Sequence, residues 1–330
     1  WLLGAGGVRQ WWLARRSIKQ TGKTAKGLMG FLSGDWSMAE RLLAQSVKDP
    51  ALTRVSLLFA AKAAANNGQI QQAEQLLKQF VSKFPGDKEY ADLLLAEMLI
   101  QASEIDRAQE ILEAIKVENK MSLRLLADLF CLQSNWSALS ALMPKIKRQS
   151  VFDKNALEAL QVKCYRGCLN ISDHSLTTVV RRQKIEAVWS DIPRAFRQTP
   201  EIIAAYVDGL ASADAPEKAL NILAKALKDQ WHQCLLEAYG RLEIKDGSKQ
   251  LALGEQLLIK YPQDPLLLLA LGLICRRMGF LGKAKDYMKS TIELAPSAQA
   301  YNELAAVFEL LGDSKSSSEV YKKGLRFATQ

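Results

Sequence analysis

The sequence predicts an all-α protein, a right-handed alpha-alpha superhelix built as a tetratricopeptide-repeat solenoid. Three observations carry this. Apolar residues recur at three- and four-residue steps, as at Ala73, Leu76, Leu77 and Phe80, and strand-like alternation is scarce. A turn mark, a small or polar residue with Ala five positions on, returns along the chain. Neighbouring marks lie 34 and 35 residues apart in a first group and 33, 32 and 33 in a last group. That period belongs to a helix–turn–helix unit which cannot bury its apolar face alone and must stack on its neighbours.

Taken in order, the marks are Gly34 with Ala39, Gly68 with Ala73 and Ser103 with Ala108. A weaker unit turns at Ser134-Asn135-Trp136, with Leu139 in the Ala place. Between about Pro144 and Pro200 the mark is lost, while helical patterns continue over Ala156 to Cys168 and Ser175 to Trp189, until Ile192-Pro193-Arg194 breaks the helix. The marks resume at Asp214 with Ala219, Gly247 with Ala252, Gly279 with Ala284 and Gly312 with Ser317. A glycine at the turn takes a backbone conformation other residues resist. Gly272 and Ala305 are small where two helices must approach, and Pro296 closes a unit. The expected layout is a basic juxtamembrane segment (1–30), an N-terminal array (31–145), an irregular helical insert (146–199) and a C-terminal array (200–330).

The 330 residues carry a formal net charge of +9. Arg9, Arg15, Arg16, Lys19, Lys23 and Lys26 supply much of it, with Trp1, Trp11 and Trp12 among them and no acid before Asp35. Trp with Lys and Arg is the composition of a membrane–water boundary on the cytoplasmic side. The segment is therefore expected to meet an anionic membrane surface, next to a span removed by truncation. A solvated basic helix or a nucleic-acid arm is the alternative, and nucleic acid is not the expected partner. No stretch reaches the roughly 18–20 apolar residues of a span. Gly4-Ala5-Gly6-Gly7 lacks both the preceding strand and the Gly-Lys-Ser ending of a phosphate loop.

Catalytic constellations are scarce. Five Cys are an odd number for a disulfide set and are read as reduced, packed residues. Cys164 and Cys168 share one helix face, with no second Cys/His pair nearby to complete a metal site. His174 and His232 are the only imidazoles. His232, in Trp231-His232-Gln233-Cys234, is the one speculative haem ligand, weighed against packing or a helix cap. No metal and no resident cofactor are expected, with haem the single exception to test.

Several stretches together resemble the HemY family of bacterial inner-membrane proteins associated with haem biosynthesis. They are the Trp- and Arg-rich opening, Gly27-Leu28, Gly34-Asp35-Trp36 with Ala39-Glu40, Ala60 to Ala64 before Gly68, and Ile192-Pro193-Arg194. Tyr239 to Leu242, Tyr261 to Pro265, and Gly282-Lys283-Ala284 with Tyr287-Met288 complete the set. The resemblance implies a tetratricopeptide domain tethered to the inner membrane, linked to late protohaem synthesis, without a defined catalytic activity. The family name is shared with an unrelated flavin-dependent protoporphyrinogen oxidase, but no G-x-G-x-x-G follows a strand here, so oxidase chemistry is not carried over.

The expected function is a non-enzymatic interaction scaffold for proteins, haem-biosynthesis enzymes among them. A haem or porphyrin carrier and a general envelope-assembly adaptor are the rivals. In such a repeat the first helix of each pair lines the groove. Counting back from the turns places Lys62, Asn66, Glu97, Gln101, Arg241, Lys245, Arg276, Arg277, Asn302 and Glu309 there. The cluster Arg241, Lys245, Arg276 and Arg277 reads as a site for an acidic partner or for carboxylates, on the argument that like charges need a matching anion.

Overall fold

The computed structural model describes residues 22–46, 52–115, 118–171 and 175–329. Among these the secondary structure is helical, with no strand. The chain divides into two compact units, residues 1–157 and 158–330. The division falls inside the stretch read as an insert. Arg9, Arg15, Arg16, Lys19 and His174 lie outside the described residues.

The first unit is a run of antiparallel pairs. Residues 22–32 form α1, which packs on α2 (Trp36–Ser46). A Cβ on Gly27 would lie 2.8 Å from Leu43, and one on Gly30 would lie 2.7 Å from Met38. The leading helix of the first pair therefore begins inside the stretch read as juxtamembrane. The pairs α3 (Thr53–Asn66) with α4 (Ile70–Lys83), α5 (Lys88–Gln101) with α6 (Ile105–Ala114), and α7 (Lys120–Leu132) with α8 (Trp136–Gln149) follow. Ala39, Ala73, Ala108 and Leu139, each five residues past a turn mark, are fully buried.

The turn marks have a common geometry. Gly34, Gly68, Ser103, Ser134, Asp214, Gly279 and Gly312 all have positive φ, from 54° to 80°. In each turn the next N–H donates to the carbonyl five residues back, as from Gln69 to Ala64 at 2.9 Å and from Phe280 to Cys275 at 2.8 Å. This closes the orphan carbonyls at a helix C-terminus. Ser103, Ser134 and Asp214 take this left-handed conformation although they tolerate it less well than Gly.

In the second unit, α9 (Lys154–Leu169) spans the division, and α10 (Thr178–Asp191) stops before Pro193. Pairs follow: α11 (Pro200–Ser212) with α12 (Pro216–Asp229), α13 (Gln233–Arg241) with α14 (Ser248–Lys260), α15 (Pro265–Arg277) with α16 (Leu281–Leu294), and α17 (Ala298–Leu310) with α18 (Ser314–Ala328). One continuous core runs from Leu169 to Val307. Gly272 is the expected close approach: an added Cβ would lie 2.7 Å from the Met288 terminal methyl.

The mark at Gly247 is misread. Its φ is −72°, and Ala252 is exposed. The cause lies upstream. α13 ends at Arg241, six residues before Gly247 where the regular helices end two before their mark, so its end is closed by side chains instead of a left-handed turn. Gln250 donates to the carbonyls of Tyr239 and Leu242, and the Tyr239 hydroxyl donates to the Gln250 carbonyl. Gly254 takes the small-residue role, since a Cβ there would meet Leu271 at 2.6 Å. Burial raises the Tyr239 phenol well above its ordinary value.

Candidate functional site

In the first unit α3, α5 and the start of α7 lie side by side around a hollow of about 710 Å³. Its walls are Phe31, Leu58, Phe59, Tyr90, Leu94 and Met121. Phe59 is 37% exposed and Tyr90 is 64% exposed. Phe31 holds Phe59 edge to face, with centroids 5.1 Å apart, and is itself edge-on to Trp36 at 5.2 Å. α7 starts where it does because Asn119 accepts from the Ser122 N–H while Ser122 Oγ accepts from the Asn119 N–H, a reciprocal cap. That places Asn119, Lys120 and Met121 at the edge of the hollow.

Lys62 also lines this hollow, as sequence spacing predicts, but it is not a free charge. Its Nζ donates to both carboxylate oxygens of Glu97, at 3.2 and 3.0 Å. Asn66 is exposed near the end of α3 and does not line the hollow. The hollow thus offers apolar and aromatic surface with an internally matched ion pair. Phe59 and Tyr90 went unread in the sequence, where an aromatic at helical spacing looks like any core residue. Their position on the groove-facing helices was the available signal.

The four cations of the second unit lie on α13, the connection after it, and α15, and three of them have partners within the chain. Arg241 pairs with Asp208 at 2.9 Å. Arg276 Nη2 lies 3.1 Å from Glu303 Oε2, an ion pair held by charge, with Arg276 Nε buried and making no hydrogen bond among the described residues. Arg277 donates to the carbonyls of Gly240 and Leu242, at 2.8 and 3.0 Å. Burial lowers its pKa, outweighing the opposing effect of Glu243. Lys245 is exposed in the connection after α13. These like charges are therefore not unmatched, contrary to the expectation from spacing: the shortened α13 recruits Arg277 as a cap, and α17 supplies Glu303 to Arg276.

His232 caps α13, its Nδ1 accepting from the Cys234 N–H at 3.4 Å and lying 3.1 Å from Cys234 Sγ. Burial, then Glu201, pushes the Cys234 thiol up to about 11. Cys164 donates to Cys168 and lowers its pKa. No cluster of three or more metal-ligating side chains occurs among the described residues. Among them, too, no helix is long and apolar enough to cross a membrane. Lys26 is exposed, and Lys23 donates to Gln45 at 2.9 Å.

Stacked helix pairs define a tetratricopeptide-type solenoid protein, and residues 67–129 match the tetratricopeptide repeat family model. Residues 1–68 match the model described as the HemY protein N-terminus. The chain is 21% identical over 327 residues to Protein HemY of Escherichia coli strain K12, covering 98% of this chain and 81% of that protein. Protein HemY of Shigella flexneri matches to the same extent. The resemblance to the HemY family therefore extends over nearly the whole chain. Among solved structures, the APC/C hetero-tetramer Cut9-Hcn1 aligns with 95% of this chain and 67% of its own, at 12% identity and a TM-score of 0.35.

Proposed function

We propose that this chain is a membrane-tethered, non-enzymatic scaffold that holds a partner protein of late protohaem biosynthesis in the hollow across α3, α5 and α7. One observation carries the reading: Phe59 and Tyr90 stand open to solvent in a largely apolar hollow where Lys62 and Glu97 neutralise each other and exposed Lys120 is the remaining charge. Exposed aromatics beside an apolar hollow add little to stability and much to a contact. Such a site fits an apolar or aromatic anchor on a peptide, and it contains no acid–base pair for chemistry. The haem pathway and the inner membrane enter through the HemY resemblance. The basic opening, with Lys23 and Lys26 at its described end, supports a cytoplasmic-face tether to anionic lipid.

The test is capture of haem-biosynthesis enzymes from detergent-solubilised membranes by the full chain and by a Phe59→Ala/Tyr90→Ala double variant. Those enzymes are expected with the parent, and about tenfold less with the variant, roughly 1.4 kcal/mol, with both proteins compared well below their melting temperatures. Equal capture by both would contradict the assignment. A stoichiometric Soret shift on adding haem would favour a carrier instead.

A further inference from the structure

A second hollow, about 700 Å³, lies between α17 and α18, lined by Asn302, Glu309, Ser318, Tyr321, Lys322 and Leu325 among others. It repeats, 33 residues on, a groove that is filled within the same unit. Stepping back 33 residues carries Asn302 to Leu269, Glu309 to Arg276, Tyr321 to Met288 and Leu325 to Ile292. Leu269, Met288 and Ile292 form the seat of α17 and pack with its Ala300 and Leu304. Arg276 meets Glu303 of the same helix. The inner groove therefore takes a helix with a small and aliphatic seam and one acid.

The outer groove keeps the walls and changes the lining. Gly324 brings α18 so close to α17 that a Cβ would lie 2.7 Å from that of Tyr301. Leu325 is 69% exposed. The place of Arg276 is held by Glu309, a reversal of sign. Lys315, Lys322 and Arg326, all exposed, recur at seven- and four-residue spacing along one flank of α18, beside the hollow.

We propose that the α17–α18 groove seats an amphipathic helix of a partner protein. Its seam is small and aliphatic, a Lys or Arg on it faces Glu309, and acids along its outer edge face Lys315, Lys322 and Arg326. Ridge-into-groove packing between helices favours a helix over an extended segment there. A second copy of the chain fits less well, because its own α18 would bring cations against cations. This surface is independent of the hollow in the first unit.

The probe is a stapled synthetic helix with the sequence of residues 296–313, whose native relative fills the inner groove, and its Glu303→Lys form. Each is titrated into the full chain by fluorescence anisotropy. The Glu303→Lys peptide is expected to bind about tenfold tighter than the unmodified one, with both weakened by salt. Protein carrying Glu309→Lys should reverse the preference, and Leu325→Glu should abolish binding by both peptides. Both substituted positions are exposed, so unchanged helicity and melting are the control. Absence of saturable binding, or equal affinity of both peptides for both proteins, would overturn the proposal. So would dimerisation that Leu325→Glu abolishes, which would give the groove to a second copy.

Discussion

The groove-facing helices of the two units belong to the same kind of repeat and differ in the side chains they present. In the first unit α3 and α5 turn Phe59 and Tyr90 outward around one neutralised pair, Lys62–Glu97. In the second, α13 and α15 present arginines engaged with the protein itself, through Asp208, Glu303 and the carbonyls of Gly240 and Leu242. A polar residue on such a face serves a partner or the fold according to what the neighbouring repeat supplies beside it. Regular turns leave the helix ends closed by backbone, so side chains stay free for ligands. Where α13 falls short, an arginine is drawn into capping.

Reversing both Arg276 and Arg277 to Glu should break this contrast most strongly. It sets Glu303 against a like charge, takes the Arg277 donor from the Gly240 carbonyl and leaves the Leu242 carbonyl with Gln250 alone. A loss of about 3 kcal/mol is expected in urea denaturation of the second unit, and an unchanged midpoint would show that these arginines are free. Gly272→Leu should cost about 1–3 kcal/mol by overpacking against buried Met288, read in the same way.

The next effect is pH-dependent. Burial holds the Cys275 thiol up to about 11 in the folded chain, against an ordinary value near 9. Below that ordinary value its contribution is complete. As pH rises towards 11 the unfolded chain ionises first, so stability is lost. Cys234 and Tyr239 shift in the same direction. The second unit should therefore lose stability between about pH 9 and 11, and Cys275→Ala should flatten that loss. A Cys275→Ala profile parallel to the parent's would contradict the account.

Smaller still, Ser103→Gly should raise stability by roughly 1 kcal/mol, because Ser103 holds φ at 62°. No gain in thermal midpoint would mean that its side chain compensates. The smallest effect belongs to Arg241→Ala. The Arg241–Asp208 pair is exposed, and its loss should stay within about 1 kcal/mol. A larger shift in the denaturation midpoint would show that this pair is structural.

Much of the fold was legible because the turn mark is a backbone requirement. Gly34, Gly68, Gly279 and Gly312 stand where positive φ is needed, and the buried residue five positions on, Ala39, Ala73, Ala284 or Ser317, is small. The false mark at Gly247 arose because spacing alone does not show where the preceding helix stops. Tyr239, Gln250 and Gly254 replace the turn through contacts between residues 11 to 15 apart, outside any fixed pattern. The candidate site was only partly legible. Counting set Lys62 on a groove-facing helix, where it lines the hollow, but it could not reveal that Glu303 reaches Arg276, or that Phe59 and Tyr90 face solvent while Phe80 is buried.

The central claim is that the partner surface is the aromatic hollow of the first unit and not the cationic face of the second. Two variants of the full chain decide it, Phe59→Ala/Tyr90→Ala and Arg241→Glu/Lys245→Glu, compared for capture of haem-biosynthesis enzymes from membranes. The second pair leaves Arg276 and Arg277 in place, so folding is preserved. The account predicts about tenfold loss for the aromatic variant and capture within twofold of the parent for the charge variant. Loss confined to the charge variant would contradict it.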